Sequence, residues 1–302
     1  MTCTILGSGF GLYGYLPAIL DCGQQVVLPR RYRSLLESRN DVRHLESQVH
    51  WCEDEDFALR SADTVILARR PSDQMQLCRI CLQSPNVLRI ILEKPLAPDP
   101  GSANVMMSDL TKSGKRFRIG YTFRYTHWGH ALKEWSKSGE TGDSLLIEWK
   151  FRATHYASNL VSWKRLVSRG GGAIRFYGIH LIALLAELGY NDVSQSLARS
   201  CKDDEVSDWS ALLTGPRLPK CIINIHSNSE DECFSISDDK TLCTRLNHPF
   251  NGHYQKNVLD GRIPALTHLC TDLLFGKLLY YPWYAKTVRL WQLVEDRTLA
   301  NP

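Results

Sequence analysis

A chain of 302 residues is long for one core and comfortable for two domains. Its 43% hydrophobic and 23% charged residues are globular values, which exclude a disordered or fibrous chain. Net charge is +4 and the pI is near 8.5, without the dense Lys/Arg runs that a nucleic-acid footprint needs. No apolar stretch reaches the roughly 18 residues of a membrane span. The chain enters a strand within its first residues, with no basic leader or cleavage pattern. A soluble, cytoplasmic protein without membrane or nucleic-acid partners is expected.

Along the chain, Thr4-Ile5-Leu6 predicts a first strand, followed by a glycine turn and a helix through Tyr15-Leu16-Pro17-Ala18-Ile19-Leu20. Gln25 to Leu28 predicts a second strand, then a basic segment and a helix from Tyr32 to Arg39. Val49-His50-Trp51 predicts a short third strand. Thr64 to Ala68 is a continuous apolar run, the pattern of a parallel strand buried on both faces, and Leu88 to Leu92 reads as another. Phe117 to Tyr121 predicts a sixth. Strands alternating with helices predict an α/β fold whose first domain, residues 1–122, is a Rossmann doubly wound parallel sheet.

Beyond about residue 125 the rhythm changes. Leu145 to Arg152 alternates apolar and polar residues, as a half-exposed antiparallel strand does. Gly170-Gly171-Gly172 precedes a strongly apolar helix from about Phe176 to Leu188, and Lys220 to Ile225 predicts a further strand. An α+β domain with a largely antiparallel sheet is expected over 123–302, with the amphipathic helix from Trp283 to Glu295 returning to the first domain. The ten cysteines read as reduced thiols. Cys78 and Cys81 form a C-x-x-C pair inside a predicted helix, with no second pair at zinc spacing, so buried structural thiols are expected and no metal.

Gly7-Ser8-Gly9-Phe10-Gly11 lies at the first strand–helix junction. There a dinucleotide fold needs one glycine for the tight turn and another where backbone approaches a pyrophosphate, at a helix end that attracts anions. The usual third glycine, five residues after the first, is Leu12. About 20 residues on, an acid would hold the ribose 2′-OH of NAD, and an arginine a 2′-phosphate. This chain has Arg30, Arg31 and Arg33 and no acid, so NADP(H) is preferred and NAD(H) is the alternative.

Glu93-Lys94-Pro95 after the fifth strand, Leu16-Pro17-Ala18 after the glycine turn, Gly120-Tyr121 through Arg124, Trp163-Lys164, and the glycine run eight residues before His180 occur in consistent order. This set resembles the glucose–fructose oxidoreductase, inositol dehydrogenase and MocA family over nearly the whole chain. The resemblance implies an NAD(P)-dependent oxidoreductase acting on a carbonyl or hydroxyl carbon of a sugar or sugar derivative. It implies catalytic roles for Lys94 and His180, with Glu93 and Pro95 orienting the lysine, and makes Lys94-Pro95 a candidate cis peptide. It implies cofactor contacts at Gly7, Gly9, Phe10, Gly11, Arg30, Arg31, Ala68, Arg69, Pro71, Gln74, Glu93 and Lys94. Substrate contacts are expected at Tyr121, Arg124, Trp163, Lys164, Tyr177 and His180, where aromatics stack on sugar faces and cations suit phosphate or carboxylate.

The chemistry fits these residue types. Hydride transfer at a carbinol needs a group that moves the hydroxyl proton, and a lysine beside a cationic nicotinamide has its pKa lowered and stabilises an alkoxide. The chain departs from the family pattern at Phe176 and Ala183, where acids are common, and at Gln74, where a His often stands. Phe176 and Tyr177 would form a more apolar wall. Two alternatives follow from the same scaffold: a lyase or glycosidase that oxidises its sugar transiently on a bound cofactor, and a non-catalytic dinucleotide-binding regulator. The family also implies a homo-oligomer through the second domain's sheet.

Overall fold

Apolar runs without a polar face must be covered on both sides, and in the first 120 residues they become a parallel sheet between helices. The computed structural model describes residues 1–139, 141–250 and 260–301. Strands β1 (Thr2–Leu6), β2 (Gln25–Pro29), β3 (Val49–Cys52), β4 (Thr64–Leu67), β5 (Arg89–Leu92) and β6 (Arg116–Ile119) lie in the order β3-β2-β1-β4-β5-β6. Every pairing is parallel. Leu6 sits opposite Leu67, Leu67 opposite Leu92 and Leu92 opposite Ile119, so the strand ends are level. The chain runs outward from β1 in both directions, which opens a crevice at the carboxyl ends of β1 and β4.

The intervening helices are α1 (Leu16–Asp21), α2 (Arg33–Glu37), α3 (Glu55–Ser61), α4 (Pro71–Gln83) and α5 (Pro100–Lys112). Asp54 caps α3 by accepting the Phe57 N–H at 2.7 Å. Cys78 and Cys81 are buried in α4, where burial pushes the Cys81 thiol up to about 12 and Cys78 higher still.

The later elements are α6 (His127–Lys137), β7 (Ser144–Arg152), α7 (Thr154–Ala157), α8 (Ile179–Leu188), β8 (Asp192–Lys202), β9 (Glu205–Thr214), β10 (Lys220–His226), β11 (Asn228–Asp238), β12 (Cys243–Leu246), α9 (Ile263–Phe275), α10 (Trp283–Asp296) and β13 (Thr298–Asn301). Their sheet has seven strands in the order β12-β11-β7-β10-β9-β8-β13. It is antiparallel except where β7 meets β10 and β8 meets β13. In β9, Glu205, Ser207, Trp209, Ala211 and Leu213 are buried and the residues between them are not, the alternation of a sheet with one covered face. Every residue of α8 from Ile179 to Ala186 is buried, as a helix apolar on nearly every face requires. No helix among the described residues is long and apolar enough to cross a membrane.

The chain divides into two compact units, and not at one point. The first comprises Met1–Leu96, Val105–Tyr125 and the described part of Tyr254–Tyr281; the second comprises Ala97–Asn104, Thr126–His253 and Pro282–Pro302. From sequence, a single boundary near 122 is expected, with the helix beginning at Trp283 returning to the first domain. Instead α9 joins the first unit, while α10 packs on α8 and β8 in the second. The reason is in the side chains. Leu266, Leu269, Cys270, Leu273 and Leu274 of α9 enter one core with Cys3, Ile5, Leu16 and Ile19.

One buried ion pair fixes α9. Arg118, fully buried on β6, donates Nε to Asp272 Oδ2 at 2.7 Å and bonds the Leu278 and Leu279 carbonyls at 3.0 Å each. The hydroxyls of Tyr125 and Tyr281 donate to the same carboxylate oxygen at 2.7 and 2.8 Å. Burial raises the Asp272 carboxyl, but Arg118 and the hydroxyl donors outweigh it and hold its pKa below the usual range.

Candidate functional site

The glycine turn is required by close approach at two of its positions. Gly7 has φ +155°, and a Cβ there would lie 2.2 Å from the Ala68 carbonyl oxygen after β4. A Cβ on Gly11 would lie 2.8 Å from Ile5 Cγ2, so Gly11 provides the close packing of helix on strand that the missing third glycine normally gives. Leu12, at that third position, is fully buried in the core instead. Nothing lies within 4 Å of a Cβ on Gly9, so the turn stays open at that point. The following Gly11–Tyr15 turn is a wide π turn that leads into α1. Phe10 packs edge-on against Tyr13 and Tyr15 at 5.3 and 5.4 Å, with the Arg262 guanidinium 4.2 Å from its ring centre.

At the end of β2 the arginines separate. Arg30 is exposed and makes no salt bridge among the described residues. Arg31 pairs with Glu55, the first residue of α3, and Arg69 after β4 pairs with the same oxygen, Oε1. The Tyr32 hydroxyl also donates to Oε1 and accepts from Arg69 at 2.9 Å. Burial raises the Glu55 carboxyl, but Tyr32, Arg31 and Arg69 outweigh it and its pKa is lowered. Arg33 turns away, to Glu37 at 3.1 Å and Glu46 at 2.8 Å. Sequence reasoning missed Glu55. It stands 24 positions beyond Arg31, and an acid in a first helical turn is unremarkable in sequence.

At the end of β5 the Lys94–Pro95 peptide is cis. Gln74 is fully buried, accepts the Glu93 N–H at 2.9 Å and donates to the Glu93 and Leu96 carbonyls at 2.7 and 3.3 Å. Its amide therefore holds the Glu93–Leu96 segment. The Tyr15 hydroxyl donates to Glu93 Oε2 at 2.5 Å. Burial pushes the Glu93 carboxyl up, against the opposing charge of Lys94 and the Tyr15 hydrogen bond. Gly120 makes this possible: a Cβ would lie 2.8 Å from both Glu93 Oε2 and Tyr15 Oη. Pro71 is buried at the start of α4, and Tyr121 is buried beyond β6. Arg124 belongs to the α9 network, its guanidinium 4.2 Å from the Tyr281 ring and 4.0 Å from Asp272 Oδ2.

The second unit carries the other expected residues. A Cβ on Gly171 would lie 2.3 Å from the Trp163 carbonyl oxygen, and the Gly172 N–H donates to the Lys164 carbonyl at 2.9 Å. The glycine run thus seats Trp163-Lys164. Phe176 stands edge-on to Trp163 at 5.3 Å and to Tyr177 at 4.9 Å, with Lys164 Nζ 5.4 Å from its ring centre. Tyr177 meets Phe151 at 4.7 Å, which extends the apolar wall expected at position 176. His180 is buried on the first turn of α8, with Phe250 at 6.4 Å. Ala183 is fully buried three residues on, so an acid there would be placed inside an apolar helix.

Sequence reasoning also missed His155 on α7. Its ring lies nearly parallel to Tyr177 at 6.1 Å, and Nε2 has no hydrogen-bond partner among the described residues. Burial, helped by the Lys164 and Arg165 charges, lowers its pKa to about 4. Arg165 is itself buried in a pair with Glu205 at 2.6 Å. Nothing in the local sequence marks His155, because the Lys164 and Arg165 charges and the Tyr177 ring reach it only in the fold.

No family model matches this chain, and no curated protein matches it. Solved structures match it closely in shape. A 3-ketoreductase from Actinomadura kijaniata, in complex with NADP and TDP-benzene, covers 100% of this chain with 99% of its own at TM-score 0.70 and 14% identity. The WlbA dehydrogenase from Thermus thermophilus, in complex with NAD and UDP-GlcNAcA, covers 99% with 95% of its own at 0.72 and 15%. GenD2 from gentamicin A biosynthesis, in complex with NAD, covers 98% with 92% of its own at 0.74 and 13%. These structures share its fold.

Proposed function

We propose that this protein is an NADP(H)-dependent oxidoreductase of the glucose–fructose oxidoreductase, inositol dehydrogenase and MocA type, which also accepts NAD(H). It transfers a hydride between the nicotinamide and a carbonyl or hydroxyl carbon of a sugar derivative. The observation that carries this reading is the pair of constrained strand ends on one level: the Gly7 turn after β1, and Glu93-Lys94-Pro95 after β5, held by Tyr15, Gln74 and Gly120. A turn that excludes Cβ atoms at Gly7 and Gly11, stays open at Gly9, and has Arg30 and Arg31 nearby fits a dinucleotide. The ligands of the similarly folded proteins, TDP-benzene and UDP-GlcNAcA, support a nucleotide-linked sugar as substrate.

Bound nicotinamide supplies or accepts the hydride. Lys94 holds or delivers the proton at the substrate oxygen, and its ammonium stabilises charge developing there. Glu93, adjacent in the chain and held by Tyr15 and Gln74, orients the lysine. His180 is the second proton-handling group in this reading, and Trp163, Lys164, Phe176 and Tyr177 form a wall suited to a sugar face with an anionic substituent. Tyr121 and Arg124 complete the proposed substrate contacts, and a homo-oligomer through the second unit's sheet belongs to the same proposal.

Lys94→Ala and His180→Ala are each expected to lower NADPH-dependent reduction of a keto sugar nucleotide by at least about a hundredfold, with NADPH binding retained. Absorbance of the reduced nicotinamide follows turnover, and fluorescence titration follows binding. Full turnover in both variants would remove the catalytic assignment. Absence of nucleotide binding in the unaltered protein would remove the whole reading.

A further inference from the structure

Four side chains from three strand ends meet at one carboxylate oxygen. Arg31 and Tyr32 follow β2, Glu55 opens the helix after β3, and Arg69 follows β4 on the far side of β1. The registers place these ends along one edge, with Pro29 opposite Cys52 and Leu6 opposite Leu67. Gly7, the next residue after Leu6, lies on that edge. In a dinucleotide fold this is where the adenosine ribose is read.

We propose that Glu55 limits this protein's preference for NADP(H) over NAD(H), by acting as a resident counter-anion for Arg31 and Arg69 at the cofactor's 2′ position. The inference rests on the dinucleotide reading above. Guanidinium groups bind a phosphate well because their donors are fixed in a planar fork. Here two such forks already face a carboxylate, so an incoming 2′-phosphate meets like charge and must share or displace it. A 2′-hydroxyl has no such conflict. Among the described residues the Arg31, Arg69 and Tyr32 contacts all use Oε1, and Oε2 is the atom to which a hydroxyl would donate. Arg30, exposed and outside this cluster, keeps the 2′-phosphate attracted. Glu55 thus performs, from the next strand along, the task of the acid that is missing at the end of β2.

The test is the ratio of Kd for NADPH to Kd for NADH, from fluorescence titration of the full chain. Glu55→Gln keeps the shape of the side chain and removes its charge. It is expected to shift the ratio about tenfold toward NADPH. In an Arg31→Gln background the same substitution should shift the ratio less than about threefold, because part of its effect passes through Arg31. Mere loosening of α3 would weaken both nucleotides together and leave the ratio where it was, and that result overturns the role of Glu55. If the unaltered chain binds neither nucleotide, the dinucleotide reading fails first and this inference falls with it. If it binds either one and Glu55→Gln leaves the ratio unchanged, only the inference about Glu55 is lost.

Discussion

Single residues here are defined by what surrounds them more than by their type. His155 is an example, because a free imidazole titrates near 6.5 and this one is lowered to about 4 by burial with help from Lys164 and Arg165. The unfolded chain takes up a proton between about pH 6.5 and about pH 4 that the folded chain refuses. Folding stability therefore falls as pH drops through that window. His155→Phe preserves the ring against Tyr177 and removes the titration. Urea denaturation at about pH 7 and about pH 4.5 should show wild type losing about 1–2 kcal/mol more than the variant, a figure reduced to allow for partial solvation of the ring. Equal losses would mean that the imidazole is protonated in place. Gly120 makes the same point without a charge, since its missing side chain matters only because Tyr15 and Glu93 meet beside it.

Among the elements, α9 shows how one buried contact fixes a helix. Arg118 is completely buried, and Asp272 is its counter-charge. Asp272→Asn leaves that guanidinium buried with a neutral partner and is expected to cost about 3 kcal/mol in denaturant unfolding. The double substitution Arg118→Met with Asp272→Leu should recover part of this loss, because it removes both charges together. A loss below about 1 kcal/mol for Asp272→Asn would show that the Leu278 and Leu279 carbonyls suffice for Arg118. The central parallel strands β4 and β5 were legible because each lies on a short, largely apolar run. Helix α9 is as apolar, yet its address was not legible, since amphipathic spacing reveals that a face will be buried and says nothing about which core receives it.

For the molecule as a whole, each unit is completed by chain that lies far away in sequence. A fragment ending at Tyr125 holds the six parallel strands and lacks α9. It loses five buried apolar side chains, each contributing about 1.5–3 kcal/mol, which is comparable with the entire stability of a domain. The fragment 1–125 is expected to show no cooperative thermal transition by circular dichroism in the aromatic region. A cooperative melt near that of the full chain would mean that α9 is dispensable to the first core.

The amino-acid sequence alone determined the strand–helix alternation, the glycine turn and the positions of Lys94 and His180 in a recognisable order, because these depend on neighbours within a few residues. The pairing of Arg31 and Arg69 with Glu55, the seating of Glu93 by Tyr15 and Gln74, and the burial of His155 were decided only by tertiary structure. The physical reason is range. Local pattern fixes which way a side chain points, whereas the charge and hydrogen bonds it meets arrive from strands and helices that only folding brings alongside.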